Sequence, residues 1–168
     1  YTLTVAVGDV SGKGVPAALY SAFAGELVRS RTFRRRYTKV RTSPAAILES
    51  MNTILHKRQL ESYYCTLCYA HFDFKRRCVT MANSGLPYPI HASQEGCGQV
   101  HSPGVPLGSL PGITYDDVTI DLKAGDAFVF YSDGISEAMN AESEEFGTDR
   151  LIGVIEQHRE RPAQHIAD

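Results

Sequence analysis

The run Thr4-Val5-Ala6-Val7-Gly8-Asp9-Val10-Ser11-Gly12-Lys13-Gly14-Val15-Pro16-Ala17-Ala18-Leu19 joins a β-branched strand to a helix through a glycine-rich turn, Gly8 to Gly14. Pro16 suits the first helical turn, where a missing N–H costs no hydrogen bond. Asp9 stands where strand gives way to turn. A carboxylate there is exposed, rigidly held, and set among backbone that a ligand can approach closely. Phosphate sites and metal sites both fit that description. A Walker A loop needs four residues between its first glycine and the Gly-Lys pair. Only three separate Gly8 from Gly12, and Gly14 rather than Ser or Thr follows Lys13. Gly12, Gly14 and Ala17 match a dinucleotide turn literally, but a second parallel strand ending in an acid should then follow the helix. A metal site would use Asp9 and a neighbouring backbone carbonyl, the hard oxygen donors that Mg2+ or Mn2+ prefers.

Beyond the turn, the spacing predicts a helix from Val15 to about Thr32, with Ala17, Ala18, Leu19, Ala22, Phe23 and Leu27 as its apolar face. Arg29, Arg31, Arg34, Arg35, Arg36, Lys39 and Arg41 follow. A solvated helix end and linker accounts for them; a nucleic-acid patch and a docking surface for an acidic protein are the alternatives. Ser43 and Pro44 read as N-cap and first residue of another helix. Ile47, Leu48, Met51, Ile54 and Leu55 carry it to about Leu60. No strand intervenes between the helices, which counts against the dinucleotide reading.

From Tyr63 the period changes to two. Tyr64 to Phe74 and Cys78 to Asn83 are predicted as a hairpin around Asp73–Arg77, and Tyr88 to Ala92 as a short strand with a hairpin through Glu95–Gly98 to Val100. Ser102 to Gly112 is a Pro- and Gly-rich loop. Asp117 to Leu122 alternates as a strand. Ala127 to Tyr131 is a continuous apolar run, expected to be a buried strand. It ends in Ser132-Asp133-Gly134 and a short helix to Asn140. A further helix, capped by Thr148 or Asp149, runs to about Arg159, and another begins at Pro162. Two adjacent helices followed by hairpins point to α+β architecture with antiparallel sheets and helices packed outside.

The chain has 168 residues and a net charge of −2, so no global charge points to nucleic acid or membrane. Tyr1 runs straight into a strand without an initiator Met, which implies a piece of a longer protein. Cys65 and Cys68 lie in a strand at an odd separation, on opposite faces, which argues against a zinc knuckle. With Cys78 and Cys97 they read as free thiols suited to a reducing cytoplasm.

Asp133 repeats the logic of Asp9: apolar strand, acid at its end, glycine beyond. Each acid alone could simply cap a turn. Together, two strand-end carboxylates could clamp metal ions that activate water against a phosphoryl group.

The residues Gly8-Asp9-Val10-Ser11-Gly12-Lys13-Gly14 with Ala17-Ala18-Leu19 resemble the Gly-Asp-Val-Ser-Gly-His-Gly-x-x-Ala-Ala-Leu signature of bacterial PPM-type (type 2C) protein serine/threonine phosphatases of the SpoIIE/RsbU-like branch. Ala82-Asn83-Ser84-Gly85-Leu86-Pro87, Pro106-Leu107-Gly108, and Gly125-Asp126 through Tyr131-Ser132-Asp133-Gly134-Ile135-Ser136-Glu137-Ala138 to Phe146-Gly147 and Arg150-Leu151 resemble its further motifs, in order. The resemblance implies a four-layer α-β-β-α sandwich of mostly antiparallel sheets flanked by helices. Residues 1–168 would be one such domain, truncated at both ends. It implies hydrolysis of phosphoserine or phosphothreonine by water bridging two Mn2+ or Mg2+ ions. Asp9 would bridge both ions, the Val10 carbonyl would hold one, and Asp133 the other side; Gly8, Gly12 and Gly14 would shape the loop. The implied partners are a phosphorylated protein, such as a STAS-domain anti-anti-sigma factor, and an N-terminal sensor or receiver domain in the parent protein, with no nucleic acid.

Two residues depart from the pattern. Lys13 replaces a histidine and could contact a phosphate, a carboxylate or only solvent; Leu86 replaces another histidine. The family's upstream Gly-Gly-Asp-(Phe/Tyr)-x-Asp and downstream Asp-Asp-x-Thr segments, each a source of a carboxylate, are not in this sequence. The expectation is therefore weak or no activity for this chain, at most one well-held ion, and open sheet edges that favour a homodimer. A pseudophosphatase or regulatory binding module is the alternative function.

Overall fold

The computed structural model describes residues 1–37, 43–58 and 63–167, with 33–37 and 167 as backbone only. Lys39, Arg41 and Leu60 of the expectations above lie outside the described residues, as do the side chains of Arg34, Arg35 and Arg36. The elements run in the order β1 (Thr2–Val10), α1 (Val15–Tyr37), α2 (Pro44–Lys57), β2 (Cys65–Asp73), β3 (Cys78–Asn83), β4 (Ile90–Ser93), β5 (Gly96–Gln99), β6 (Val118–Asp121), β7 (Ala127–Val129), α3 (Asp133–Ser136), α4 (Thr148–His158) and α5 (Ala163–Ala167). They fall into two compact units, Tyr1–Leu86 with Ser102–Asp121, and Pro87–His101 with Leu122–Asp168.

The first unit is a four-stranded antiparallel sheet in the order β1-β2-β3-β6. Period-two alternation puts Cys65, Leu67 and Tyr69 of β2 and Ala82 of β3 on one face. They form a core there with Tyr20 and Ala24 of α1 and Ile47, Leu48, Met51 and Leu55 of α2. Ser43 caps α2 as predicted, its side chain accepting from Ala46 N–H, with Pro44 opening the helix. The β2–β3 turn is an Asx turn in which Asp73 Oδ1 accepts from the N–H groups of Lys75 (3.2 Å) and Arg76 (3.0 Å).

Two expectations in this unit need correction. β1 runs on through Gly8, Asp9 and Val10, because Leu67, Thr66 and Cys65 of β2 pair with them in register. Gly8 is thus a strand residue; a Cβ there would stand 2.7 Å from the Thr66 carbonyl oxygen. On α1 the buried side is Ala17, Tyr20 and Ala24, with Leu27 and Val28 packed against the core, while Ala18, Leu19 and Ala22 are exposed. Ala17, Phe23 and Leu27 of the expected face are on the core side; Ala18, Leu19 and Ala22 are not, because successive helical residues are rotated by about 100° and a consecutive apolar run cannot share one face.

The second unit is a three-stranded antiparallel sheet, β5-β4-β7. Its core joins Ile90, Ala92 and Tyr131 to Ile155 of α4, with Leu151 and Ile152 packed against it. The β4–β5 hairpin closes through Gln94 and Glu95, since Ser93 pairs with Gly96. β7 is shorter than expected and half-buried, because it lies at a sheet edge with one partner. Gly147, not Thr148 or Asp149, occupies the N-cap of α4; its φ of 79° admits glycine without strain.

Candidate functional site

Asp9 and Val10 end the edge strand β1. Val10 packs against the helix-covered core, so alternation places the Asp9 carboxylate on the opposite face, and Asp9 is exposed. Cys65, the partner of Val10, gives both backbone groups to Leu107: Cys65 N–H donates to Leu107 O (3.1 Å) and Leu107 N–H to Cys65 O (2.8 Å). Cys65 therefore faces Val10 as a non-hydrogen-bonded pair, and the β1–β2 ladder does not consume the Val10 carbonyl. Strand and turn meet at Ser11, whose N–H donates to Tyr64 O (3.0 Å) while Tyr64 N–H donates to Ser11 Oγ (2.9 Å). Gly12 (φ 90°) and Gly14 (φ 83°) take left-handed conformations that turn the chain into α1. A Cβ at Gly12 would lie 3.0 Å from Tyr63 Cε1. Ala18 N–H then donates to Gly14 O (3.1 Å), starting the helix. Lys13 is exposed on this turn, with no carboxylate partner among the described residues.

Electrostatics around Asp9 register on its neighbour. Burial, reinforced by the Asp9 carboxylate, pushes the Cys65 thiol up to about 12. It stays a neutral core residue rather than a nucleophile.

Asp133 belongs to the second unit. It is the exposed first residue of α3, and its N-cap, Ser132, makes no side-chain cap bond. The Asp133 carbonyl accepts from Glu137 N–H (2.8 Å) and Ser136 Oγ (3.2 Å). The following loop is tied back by Phe146 N–H to Ala138 O and Gly147 N–H to Ser136 O, both 2.8 Å. Gly8, Asp9, Val10, Gly12, Lys13 and Gly14 thus share one strand–turn–helix, and Asp133 heads a separate, equally well-tied turn.

A divalent cation suits the donors that are present: an exposed carboxylate and a carbonyl outside the ladder, both hard oxygens. Among the described residues no three His, Cys, Asp or Glu side chains gather as a metal cluster. A metal at Asp9 would therefore lean on backbone oxygen and water as well.

Sequence reasoning passed over the scaffold behind the turn. Asn52 is buried on α2; its Oδ1 accepts from Gly108 N–H (2.8 Å) and its Nδ2 donates to Leu110 O (2.9 Å). It thereby fixes the loop whose Leu107 holds Cys65. Ser84 Oγ accepts from Leu67 N–H (2.9 Å) and donates to Leu67 O (3.1 Å). Leu86 is buried, bracketed by Asn83, which accepts from its N–H (3.0 Å) and donates to its carbonyl (2.8 Å). The missed signal was a polar residue, Asn52, at a core position of a helical repeat; such a group must find partners.

The sequence model of the Stage II sporulation protein E family matches residues 1–168. Phosphoserine phosphatase RsbU of Bacillus subtilis is 25% identical over 167 residues, covering 98% of this chain and 48% of RsbU. The chain therefore spans about half the length of that curated relative. Among solved structures, the RsbU and RsbW domains of a Mycobacterium tuberculosis protein superpose with a TM-score of 0.80 at 23% identity, over 98% of this chain and 46% of that one. The PP2C phosphatase domain of SpoIIE from Bacillus subtilis, with a fragment of its regulatory domain, gives 0.79 at 19% identity, over 99% and 47%. The catalytic domain of the serine threonine protein phosphatase PstP, in complex with 2 manganese ions, gives 0.64 at 13%, over 98% and 80%. These likenesses show the fold: α+β, with the antiparallel sheets and helices of PP2C-type phosphatases.

Proposed function

This chain belongs to the Stage II sporulation protein E family, matched across residues 1–168, and on that premise we propose that it is the catalytic part of a metal-dependent protein serine/threonine phosphatase. The observation that carries the reading is the end of β1: an exposed Asp9 carboxylate beside a Val10 carbonyl outside the ladder, on backbone pinned by Ser11 and Tyr64. In this reading Asp9 and Val10 hold Mn2+ or Mg2+, and Asp133 completes the other side of the centre. Bound divalent ions supply water of lowered pKa and positive charge for the phosphoryl oxygens. The residues of the chain bind and orient. In the same reading Gly12 and Gly14, lacking side chains, let a phosphorylated residue approach the turn, and the exposed Lys13 ammonium would contact phosphate oxygens.

The substrate is a phosphoserine or phosphothreonine protein, and a STAS-domain anti-anti-sigma factor is the specific candidate. We further propose that residues 1–168 act as one domain in the cytoplasm, under an N-terminal sensor or receiver domain, and that the chain pairs with a second copy. No helix among the described residues is long and apolar enough to cross a membrane.

The test is hydrolysis of p-nitrophenyl phosphate by the natural full-length protein. Turnover is expected only with Mn2+ or Mg2+, and Asp9→Asn and Asp133→Asn should each abolish it. Wild-type turnover in both variants would sink the reading. A pseudophosphatase, which Lys13 and the apolar Leu86 in place of histidines favour, would bind a phosphoprotein without turnover at any metal concentration.

A further inference from the structure

We propose that the aromatic groove beside the glycine turn receives the residues flanking the phosphorylated side chain of the protein substrate. It takes one apolar side chain three or four positions from the phosphoserine, and an acidic residue that pairs with Arg58. The inference rests on the phosphatase reading above and adds to it a substrate preference.

The groove has a volume of about 430 Å3 and is lined by Pro16, Leu19, Tyr20, Phe23, Arg58 and Tyr63. Its position follows from Tyr63, which stands against Gly12. Gly12 lies three residues beyond Asp9, a span of at most about 11 Å of extended chain. The Asp9 carboxylate leaves the opposite face of β1, so a substrate whose phosphate sits at Asp9 and whose chain crosses the glycine turn brings its third or fourth neighbour to the Tyr63 wall.

The lining chemistry says what that neighbour is. Leu19 of the lining is 67% exposed, and Val15, one turn earlier on α1 and outside the lining, is 72% exposed. Both point away from the core face of Ala17, Tyr20 and Ala24, so core packing does not account for them. Clustered apolar exposure of this kind marks a docking surface. The Tyr20 and Tyr63 rings pack with centroids 6.0 Å apart and supply a rigid floor. Arg58 carries the sole charge among the described lining residues. Its guanidinium lies over the Phe23 ring, 5.0 Å from the centroid, with no carboxylate partner among the described residues. Stacking holds the guanidinium in place and leaves its N–H edge for a carboxylate. Lys13, on the glycine turn next to Gly12, adds a second positive charge outside the groove lining. A cationic rim around an apolar floor complements an acidic, phosphorylated segment.

The test uses the natural full-length protein with Mn2+ and fluorescein-labelled phosphoserine peptides. They carry leucine or serine three or four positions from the phosphoserine on either side, with glutamate or lysine beyond. Phosphate release gives kcat/KM for each peptide. Leucine should be favoured over serine by about tenfold, and glutamate over lysine. Arg58→Glu should invert the charge preference, and Leu19→Glu should cancel the leucine preference. Both side chains are exposed, so neither change empties the core. Comparing peptides within one variant also removes any general loss of activity. Equal kcat/KM across the peptides in the wild type, or preferences that survive in both variants, would overturn the proposal. So would a dimer that Leu19→Glu splits in gel filtration with peptide preference unchanged, because the face would then belong to a second copy. If p-nitrophenyl phosphate is not hydrolysed, the phosphatase reading fails separately. Fluorescence anisotropy of the same peptides then reads the same preferences, and their absence removes the groove as well.

Discussion

Ser84 makes a compact test of the scaffold behind Asp9, because its hydroxyl is all that satisfies Leu67 N–H where β3 has ended and the chain has turned away. Removing it in Ser84→Ala orphans a buried donor on the strand that pairs with Gly8. The expected cost is about 1–3 kcal/mol in urea unfolding; a change under about 0.3 kcal/mol would contradict it. Cys68 carries a pH signature. Burial pushes its thiol from 9.0 up to about 12, so the fold favours the neutral form. The stability this contributes is fully present below about pH 9 and is lost as pH rises toward 12. The unfolding midpoint of the wild type should therefore fall between about pH 8.5 and 10.5 more steeply than that of Cys68→Ala, whose lower starting stability reflects the cavity. Equal slopes would count against it. At this scale the sequence was readable where backbone geometry is involved. The left-handed Gly12 and Gly14 follow from a strand turning into a helix within four residues. The burial of Leu86 did not, because nothing in its local pattern says that Asn83 will hold it from both sides.

Among elements, α2 does more than cover the sheet. Asn52 fastens the Pro106–Leu110 loop, and Leu107 of that loop takes the place of β3 beside the first residue of β2. Asn52→Ala leaves Gly108 N–H without its partner and should destabilise by about 2 kcal/mol. Asn52→Asp keeps the acceptor but buries a carboxylate whose second oxygen faces the Leu110 carbonyl, and should cost more. The two midpoints in one denaturation series check the order, and the reverse order would contradict the assignment. α2 was legible because its cap, proline and apolar period all agree. The face of α1 was not, because Ala17, Ala18 and Leu19 are apolar in succession and only the sheet beneath decides which of them is covered. β7 read as a buried strand from its apolar run alone; composition does not reveal that a strand has only one neighbour.

For the molecule as a whole, β1 carries Asp9 near its end and is, among the described residues, the edge of a four-stranded sheet, with Leu3 half exposed on it. An unpaired nine-residue edge is a template for another strand. The 168-residue chain should run larger than a monomer on gel filtration at micromolar concentration, and Leu3→Lys should shift it toward monomer; a clean wild-type monomer contradicts this. The architecture was legible as a whole because four motif stretches, far apart in the chain, agree on one fold. The sequence offers Asp9 and Asp133 as separate strand-end acids; spacing along the chain says nothing of whether they share an ion, and the proposed metal centre rests on the family resemblance. The most direct measurement is a calorimetric Mn2+ titration of the natural full-length protein and its Asp9→Asn variant. Saturable binding that weakens by about 100-fold or more in the variant is the predicted result; equal affinity in the two would contradict Asp9 as the residue that holds the ion.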